Sequence, residues 1–526
     1  MAAKNFHKKT SAILIIFLAI SSILLSCLNC SCSSSPARLQ PEAQSAPVKH
    51  IILFIGDGMQ LESEIATSIY LHGESMNLTW HSSDFYRLPC TTWDVTTYNQ
   101  FAYKYGQPYY HPASFDPKLG YNPEEGGRWP FPLDAPVQKN YFLTALPLPP
   151  DGRRSAIPAT DSASAATALA TGLKTDGGNL SWVPGDPPDG SLKTIAEIMR
   201  EQKGASIGLG STVPFSHATP AAFVSHNISR SNYHRIAEEI IKETRPEVVI
   251  GGGYPGESGT NKFTYIPESL YNELKNGLSG DYHFVEREKG KDGGRALLEA
   301  ALKARESRKK LFALFGGPDG SFEPPLPESN PGHPTVKRQT AENPLLKEAV
   351  EAALTVLSAN PSGFFVMFEQ GDIDWANHDH DYPHMIGAVW DLNEAVKAAI
   401  EFINRPGDNL DWSNTMLVVT ADHATGYLRL KRDESGRPLL RMGELPQGKP
   451  ARGSVAGQYD LVTYSTTGHT NELVMVYVYG KGRGAEFIKK FQGTWYPGTE
   501  IIDNTQLSRA LGEAAGLRNW PEREKR

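Results

Sequence analysis

Three short apolar segments of the chain are each followed within three residues by a carboxylate side chain, which could bind a cation or move a proton. The segments are residues 51–55, 364–368 and 416–419, and the side chains that follow them are Asp57, Glu369, Asp422 and His423. β-Branched and aromatic runs of this length predict buried parallel strands. Ligands of parallel α/β sheets lie beyond the carboxyl ends of the strands. Because several carboxylates gathered there would repel one another, the pattern predicts a site for divalent metal ions.

A second group of candidate ligands lies further along the chain. Asp374 and His378 are four residues apart, so a helix would place both side chains on one face, able to hold one ion. His469 precedes another apolar run, residues 473–479. Mixed histidine and carboxylate ligands suit zinc, whereas all-oxygen sets suit magnesium. Taken alone, an Asp–His pair is more often a local hydrogen bond than a metal site. We expect the further acidic and histidine side chains of 379–384 to lie outside the ligand set or on the surface.

A nucleophile candidate lies between these segments. The alanine-rich tract within residues 160–168 predicts the start of a helix with Ser162 at its N-terminal edge. The backbone N–H groups of a helix N-terminus favour an anion such as phosphate. A serine or aspartate at this point is also a common helix cap, so a purely structural role of Ser162 or Asp161 stays open here.

The elements that must position these side chains are short strands alternating with amphipathic helices. Further strands are predicted at 207–210, 248–250 and 311–315, and helical faces near 192–199 and 386–403. This alternation predicts an α/β fold with a doubly wound, mostly parallel central sheet flanked by helices. The chain of 526 residues carries a formal net charge of −7, which argues against a dedicated nucleic-acid binder.

The N-terminal residues predict an export signal rather than a part of the folded domain. Residues 1–26 combine lysines at positions 4, 8 and 9 with an apolar run that is short for a spanning helix, which is typical of a signal peptide. The segment ending at Cys27 resembles a bacterial lipobox, so we expect a lipid anchor at Cys27 and a location in the periplasm or at the cell surface. An uncleaved membrane anchor is the alternative. Residues 27–47 predict a flexible tether, and Cys90 is the one cysteine of the remaining chain.

The body, residues 48–526, is predicted to be one catalytic domain with two insertions. The first, at about 95–150, is rich in proline and aromatic residues, and the second, at about 428–464, is polar. The first could border the active site, cover a dimer interface or face a partner, and plain surface packing is the default.

Taken in order, the motifs resemble those of the alkaline phosphatase family. The matching segments are FIGDGM at 54–59, TDSASAAT at 160–167, TGLKT at 171–175, EQGDID at 369–374 with His378, TADH at 420–423 and GHT at 468–470. The resemblance covers most of the chain from residue 48 to about 480, and the ordered set is far more specific than any one motif.

The resemblance implies three metals and a serine nucleophile. It implies a first zinc held by Asp374, His378 and His469, and a second held by Asp57, Asp422 and His423 beside Ser162. It implies a magnesium ion held by Asp57, Thr219 and Glu369, and a phosphate clamp at Arg230. His217 stands near the magnesium position, where the best-known bacterial pattern has an aspartate, and Trp375 stands where it has a lysine. An imidazole at this point leaves the identity of the third metal open.

The implied activity is hydrolysis of small phosphate monoesters through a phosphoserine intermediate on Ser162. A related phosphodiesterase, phosphonate hydrolase or sulfatase is one alternative, and a non-catalytic surface lipoprotein that retains the fold is another. The family resemblance also implies a homodimer. No specific nucleic-acid partner is expected.

Overall fold

The computed structural model describes residues 46–128, 139–147, 157–256, 262–279, 281–407, 409–448, 457–480 and 484–521. Residues 1–45, which include the predicted export signal, Cys27 and nearly all of the tether, lie outside the described residues. Parts of both predicted insertions, 129–138, 148–150 and 449–456, do so as well. The predictions of export, lipid anchoring and domain boundaries therefore stay predictions.

The strands of the described residues are numbered in chain order. They are β1 (His50–Gly56), β2 (Phe85–Thr91), β3 (Ser206–Pro214), β4 (Val248–Gly252), β5 (Tyr282–Glu286), β6 (Lys310–Leu314), β7 (Leu326–Glu328), β8 (Thr335–Lys337), β9 (Phe364–Gln370), β10 (Thr415–Ala421), β11 (Ala424–Thr425), β12 (Arg429–Leu430), β13 (Gly457–Gln458), β14 (Val462–Tyr464), β15 (His469–Thr470), β16 (Val474–Tyr479) and β17 (Ile502–Asp503).

The helices are numbered in the same way, and a π-helical turn, Ile240–Thr244, continues the ninth. They are α1 (Leu61–His72), α2 (Val95–Tyr105), α3 (Pro117–Gly120), α4 (Pro123–Gly126), α5 (Lys139–Leu143), α6 (Ser162–Thr171), α7 (Ile195–Lys203), α8 (Ala218–Ala221), α9 (Tyr233–Glu239), α10 (Glu268–Lys275), α11 (Gly293–Ser307), α12 (Leu346–Leu357), α13 (Asp372–His378), α14 (Tyr382–Ile403), α15 (Ala485–Lys489) and α16 (Asn504–Ala514).

Ten of the described strands form the central sheet, in the order β17-β2-β16-β10-β1-β9-β3-β4-β6-β5. Nine run in one direction, and β16 is antiparallel to both of its neighbours. The predicted α/β fold with a mostly parallel sheet is confirmed, and each apolar run that was predicted to be a strand contributes a strand to this sheet.

The centre of the sheet is β10-β1-β9, and every residue of these three strands is buried. Parallel strands covered on both faces have no solvent side, which is why they are continuously apolar rather than alternating. Helices pack in two groups, one of α6, α7 and α16 and the other of α11, α12 and α14, and β3 contacts a helix of each group. The rings of Phe54 and Phe368 stack between neighbouring strands at 5.3 Å.

The two predicted insertions contain ordered elements where they are described. The first carries α2 to α5, and its Tyr98, Tyr121 and Tyr141 pack with Trp93 in a separate aromatic core. The second carries a small antiparallel sheet in the order β12-β14-β13. Among the described helices, none has both the length and the apolar character needed to cross a bilayer.

Candidate metal centre and nucleophile

The three acidic strand ends predicted from the sequence lie side by side. β10, β1 and β9 are neighbours in the sheet, and Ile55 of β1 pairs with both Thr420 and Glu369. Asp57 and Asp422 follow these strands directly, so the carboxyl edge of three adjacent parallel strands gathers three carboxylates. The backbone N–H of Asp57 donates to the carbonyl of Gln370 at 3.1 Å, which ties two of the strand ends together.

Asp374, His378 and His469 form one group of potential ligands, with their donor atoms all within 4.8 Å of one another. Asp374 and His378 lie on one face of α13, as predicted from their spacing. Nδ1 of His378 contacts the carbonyl of Thr467, and Nδ1 of His469 donates to the carbonyl of Thr160 at 2.8 Å. With Nδ1 protonated, the Nε2 lone pairs of both rings face each other at 3.1 Å beside Asp374, ready to bind a cation.

Asp57, Asp422 and His423 form a second group within the same limit of 4.8 Å, and all three are buried. We refer to these two sets of ligands as the two His–Asp groups. Nε2 of His423 lies 3.4 Å from a carboxylate oxygen of Asp57 and 3.4 Å from one of Asp422. The same nitrogen lies 3.2 Å from Oγ of Ser162. The second group of ligands is therefore adjacent to the predicted nucleophile.

Thr425 connects the two groups, and sequence reasoning missed it. Its hydroxyl donates to Asp374 at 2.6 Å and lies 3.2 Å from Nδ1 of His423. A hydroxyl that donates to the carboxylate can accept from the imidazole, so Nε2 of His423 keeps its lone pair. The rings of His423 and His469 stack at 3.7 Å between the two groups. The only sequence signal was the position of Thr425 two residues after His423.

Asp57, Thr219 and Glu369 form a third, oxygen-only group. The hydroxyl of Thr219 lies 3.4 Å from Asp57, and Ser211 donates to Glu369 at 2.5 Å. Ser211, the second residue missed by sequence reasoning, lies on β3 opposite Glu369. Asp57 is common to this group and to the second.

Burial makes negative charge at these carboxylates costly. Desolvation, followed by repulsion from neighbouring carboxylates, raises the pKa of Asp57 and of Asp422 well above its usual value. Burial also raises the pKa of Glu369 to about 7. Oδ1 of Asp57, Oδ2 of Asp422 and Oε1 of Glu369 are buried without a hydrogen-bond partner among the described residues. Oxygens arranged in this way fit divalent cations, which would satisfy them and neutralise the charge.

Ser162 is the first residue of α6, as predicted, and it is buried. Asp161 caps this helix by accepting from the backbone N–H of Ser164 at 3.1 Å. The backbone N–H of Gly178 donates to the same carboxylate at 3.0 Å. Asp161 therefore fulfils the capping role, and it fixes the helix terminus that presents Ser162.

Arg230 lies on the other side of Asp161. Its Nη1 donates to Oδ2 of Asp161 at 2.9 Å, and its backbone N–H donates to the carbonyl of Gly178 at 2.9 Å. Burial opposes the ionisation of Asp161, but Arg230 and the hydrogen bonds from Ser164 and Gly178 hold its pKa well below the usual value. An ionised Asp161 and a charged guanidinium are thus paired beside Ser162.

His217 and Trp375 line the same region. His217 lies between the rings of Tyr233, at 6.3 Å, and Trp375, at 5.9 Å. Burial, together with the charge of Arg230, lowers the pKa of His217 to about 3, so its ring is neutral. Of the surplus histidines and acids at 379–384, His380 donates to the carbonyl of Thr466 at 2.8 Å, and it belongs to neither of the two His–Asp groups.

Gly58 allows the backbone to pass close to Asp374. It has φ of +65°, and a Cβ at this position would lie 2.7 Å from a carboxylate oxygen of Asp374. Only glycine fits both the conformation and the close approach. The glycine between Asp57 and Met59 therefore lets the first and second ligand groups come together.

A parallel α/β sheet whose carboxyl edge gathers two His–Asp groups around a helix-terminal serine defines a class of metal-dependent hydrolytic enzymes. The sequence model of the family described as alkaline phosphatase matches residues 150–437. The chain belongs to the alkaline phosphatase family, and it is a phosphatase that uses divalent metals.

Curated relatives agree with this assignment. Alkaline phosphatase 4 of Bacillus subtilis is 28% identical over 404 residues, which cover 67% of this chain and 76% of that protein. Alkaline phosphatase 3 of the same organism is 32% identical over 279 residues, which cover 52% of this chain and 51% of that protein. The alkaline phosphatase of Escherichia coli is 29% identical, with 50% of this chain and 58% of that protein covered.

Solved structures support the fold. The alkaline phosphatase of the Antarctic bacterium TAB5 superposes with a TM-score of 0.54 at 20% identity, covering 90% of this chain and all of that one. The alkaline phosphatase of Thermus thermophilus gives a TM-score of 0.55 at 21% identity, covering 92% of this chain and 95% of that one.

Proposed function

We propose that this phosphatase hydrolyses phosphate monoesters through a phosphoserine intermediate on Ser162. The observation that carries the proposal is the convergence of Ser162 with the two His–Asp groups and Arg230 at one sheet edge. Oγ of Ser162 lies 3.2 Å from His423, and Arg230 is held by Asp161, the residue that precedes Ser162.

The metals that fit best are two zinc ions and one magnesium ion. Asp374, His378 and His469 would hold one zinc, and Asp57, Asp422 and His423 would hold the other, because histidine and carboxylate donors suit zinc. The oxygen-only group, Asp57, Thr219 and Glu369, suits magnesium. Such ions, when bound, act as Lewis acids that stabilise charge on the attacking and leaving oxygens of a phosphoryl transfer.

The chain's own residues carry the following steps. Oγ of Ser162 attacks phosphorus, so an Oγ–P bond forms while the bond from phosphorus to the ester oxygen breaks and the alcohol leaves with a proton. A water molecule then attacks the same phosphorus, the Oγ–P bond breaks, and inorganic phosphate and the serine hydroxyl are regenerated. The N-terminus of α6 favours the phosphate charge in both halves of the reaction.

Arg230 would hold the non-reacting phosphate oxygens. A guanidinium has five N–H donors in a planar fork, and Asp161 engages Nη1 of Arg230 at 2.9 Å. The remaining N–H groups can donate to two phosphate oxygens at once. The ion pair with Asp161 fixes the orientation of the fork before the substrate binds.

The nucleophile is tested with Ser162→Ala. We expect the variant to lose nearly all turnover of p-nitrophenyl phosphate while its zinc content, measured by mass spectrometry of the metals, stays at the wild-type level. A variant that keeps wild-type turnover would show that Ser162 is not the nucleophile. Substrate class is tested in parallel by comparing this monoester with its diester and its sulfate, and preference for either of the latter two would exclude a monoesterase.

The metals are tested by chelation and by Glu369→Gln. Removal of metals should abolish activity, and zinc with magnesium should restore it, whereas restoration by calcium alone would contradict the zinc sites. Glu369 belongs to the oxygen-only group, so Glu369→Gln should lose the third metal and retain two zinc ions per chain. Loss of zinc in this variant would show that the three groups do not bind separate metals.

The location of the enzyme is proposed from the sequence. We propose export directed by residues 1–26, with a lipid on Cys27 that anchors the protein to the membrane. Metabolic labelling with palmitate should label the wild-type chain and not Cys27→Ser. Equal labelling of the two chains would contradict the anchor.

A further inference from the structure

His226 is a largely buried histidine that contacts two carboxylates from two different helices. Its Nδ1 lies 2.8 Å from Oε1 of Glu239, on α9, and its Nε2 lies 3.2 Å from Oε2 of Glu197, on α7. Its side chain is 12% exposed. Because both ring nitrogens face carboxylate oxygens, which accept hydrogen bonds, the geometry favours the imidazolium form, in which both nitrogens carry a hydrogen.

The backbone at His226 and Asn227 is hydrogen-bonded as well, which adds to the attachment made by the His226 ring. The N–H of His226 donates to Glu239 at 3.0 Å. Asn227, the next residue, pairs with Leu180 through two backbone hydrogen bonds of 2.8 and 2.9 Å. Residues 226–230 are thus fixed at their start by two helices and a neighbouring loop.

Arg230 ends this five-residue segment. Its backbone N–H donates to Gly178 and its Nη1 donates to Asp161, both at 2.9 Å. The guanidinium therefore has an inner attachment at the nucleophile helix and an outer attachment, four residues earlier, at His226. Within the segment, Oδ1 of Asn227 accepts from the backbone N–H of Ser229 at 3.1 Å, so a displacement at His226 would be carried along the segment towards Arg230.

We propose that His226 is a positioning residue for Arg230, which holds the phosphate-binding segment in place by joining Glu197 and Glu239. The inference rests on the proposed function, because it presumes that Arg230 binds the phosphate group. His226 does not touch substrate. Its effect is expected on the binding of substrate and of inorganic phosphate rather than on the chemical step.

The charge of His226 makes this attachment sensitive to pH. The titratable groups that face it are Glu197 and Glu239, and Lys193 acts in turn on Glu197. Burial opposes the charged form, but the hydrogen bonds and charges of the two glutamates raise the pKa of His226 to about 9. The attachment should therefore be complete at neutral pH and weaken as the pH rises through about 9, when one ring nitrogen loses its hydrogen and faces a carboxylate.

The test measures KM for p-nitrophenyl phosphate, the inhibition constant of inorganic phosphate and kcat from pH 7.5 to 10.5, with metals saturating. His226→Gln keeps one donor and removes the charge. At pH 8 we expect KM and the inhibition constant to rise by roughly three- to ten-fold with a smaller change in kcat. The ratio of variant to wild type should approach one above pH 9, because the wild-type residue is then neutral as well.

Glu239→Gln provides a second readout. It keeps a hydrogen-bond acceptor and removes a charge that stabilises the imidazolium, so the rise of KM with pH should begin at a lower pH. A residue that only supports the fold would change the amount of folded enzyme without moving this midpoint. An unmoved midpoint would overturn the inference.

His81→Gln is the matched control. His81 also pairs with a buried glutamate, Glu64, at 2.9 Å, and it packs between α1 and β16. It should lower stability without changing KM. Arg230→Ala separates the two proposals: if it raises KM and His226→Gln does not, the positioning role is wrong, and if Arg230→Ala itself leaves KM unchanged, the proposed phosphate clamp is wrong.

Discussion

Arg230 donates from Nη1 to Oδ2 of Asp161 over 2.9 Å, although 69 residues separate the two in the chain. Asp161 at the same time caps α6 at Ser162. One carboxylate thus fixes both the helix that presents Ser162 and the guanidinium proposed to bind phosphate. The distance between Ser162 and Arg230 is set by Asp161 rather than by either element alone.

Asp161→Asn should weaken phosphate binding. Asparagine still caps a helix well, so α6 should remain intact. The charge-assisted hydrogen bond to Arg230 is lost. If this loss weakens phosphate binding by about 1.4 kcal/mol, the inhibition constant of inorganic phosphate should rise roughly ten-fold.

The matched control is Asp292→Asn. Asp292 caps α11 and lies 3.8 Å from Arg338, so it combines a helix cap and an arginine away from the site. This variant should leave the inhibition constant unchanged. Equal inhibition constants for Asp161→Asn and wild type would contradict the role of the ion pair.

Thr425→Val should lower zinc affinity. The hydroxyl of Thr425 orients Asp374 and His423, one ligand from each His–Asp group, and valine has nearly the same volume without the hydroxyl. Loss of such a supporting hydrogen bond typically costs 10–100-fold in metal affinity. Competition with a zinc chelator measures the change.

Thr415→Val serves as the control for Thr425→Val, since Thr415 is equally buried but begins β10, at the end of the strand away from Asp422. It should retain wild-type zinc affinity. If both valine variants bind zinc as the wild type does, Thr425 does not orient the ligands.

The sequence was sufficient to predict the centre of the fold and the acidic sheet edge. Fully buried parallel strands have a distinct signature, and residues at or just after their carboxyl ends lie at one edge of the sheet, so Asp57, Glu369 and Asp422 could be placed together. The four-residue spacing of Asp374 and His378 fixed their common helix face in the same way.

Other features depend on contacts that no local pattern encodes. β2 was not predicted because its sequence, FYRLPCT, contains Arg87 and Pro89 and lacks the apolar run of the central strands. The pair of Asp161 with Arg230 and the bridge formed by Thr425 arise only when distant segments pack. Ser and Thr hydroxyls are common everywhere, so neither Ser211 nor the position of Thr425 two residues after His423 was enough to predict a role before the fold was known.

Lys174→Met should destabilise the protein strongly. Lys174 is buried, and its Nζ lies 2.9 Å from Asp503 and 2.7 Å from Oδ1 of Asn504. Methionine would leave Asp503 as a buried charge without its cation, which typically costs about 3–5 kcal/mol. Urea unfolding monitored by circular dichroism gives the change in free energy.

The comparison for Lys174→Met is Lys242→Met, which removes an exposed pair with Glu273 at 3.3 Å. Exposed pairs contribute about 0–1 kcal/mol, so this variant should unfold close to the wild-type urea concentration. Similar losses of unfolding free energy in the two variants would mean that the buried Lys174 pair contributes no more to stability than the exposed one.

His50→Phe should remove part of the acid sensitivity of the fold. Burial lowers the pKa of His50 to about 4, from a usual value of 6.5. A histidine with a lowered pKa stabilises the fold above 6.5, and this contribution is lost as the pH falls from 6.5 towards 4, by on the order of 3 kcal/mol at most. Phenylalanine cannot be protonated, and the position already packs against the ring of Phe364 at 4.7 Å. The difference in melting temperature between pH 5 and pH 7.5 should therefore be smaller for the variant than for the wild type. An identical difference in the two proteins would exclude His50 as a source of acid sensitivity.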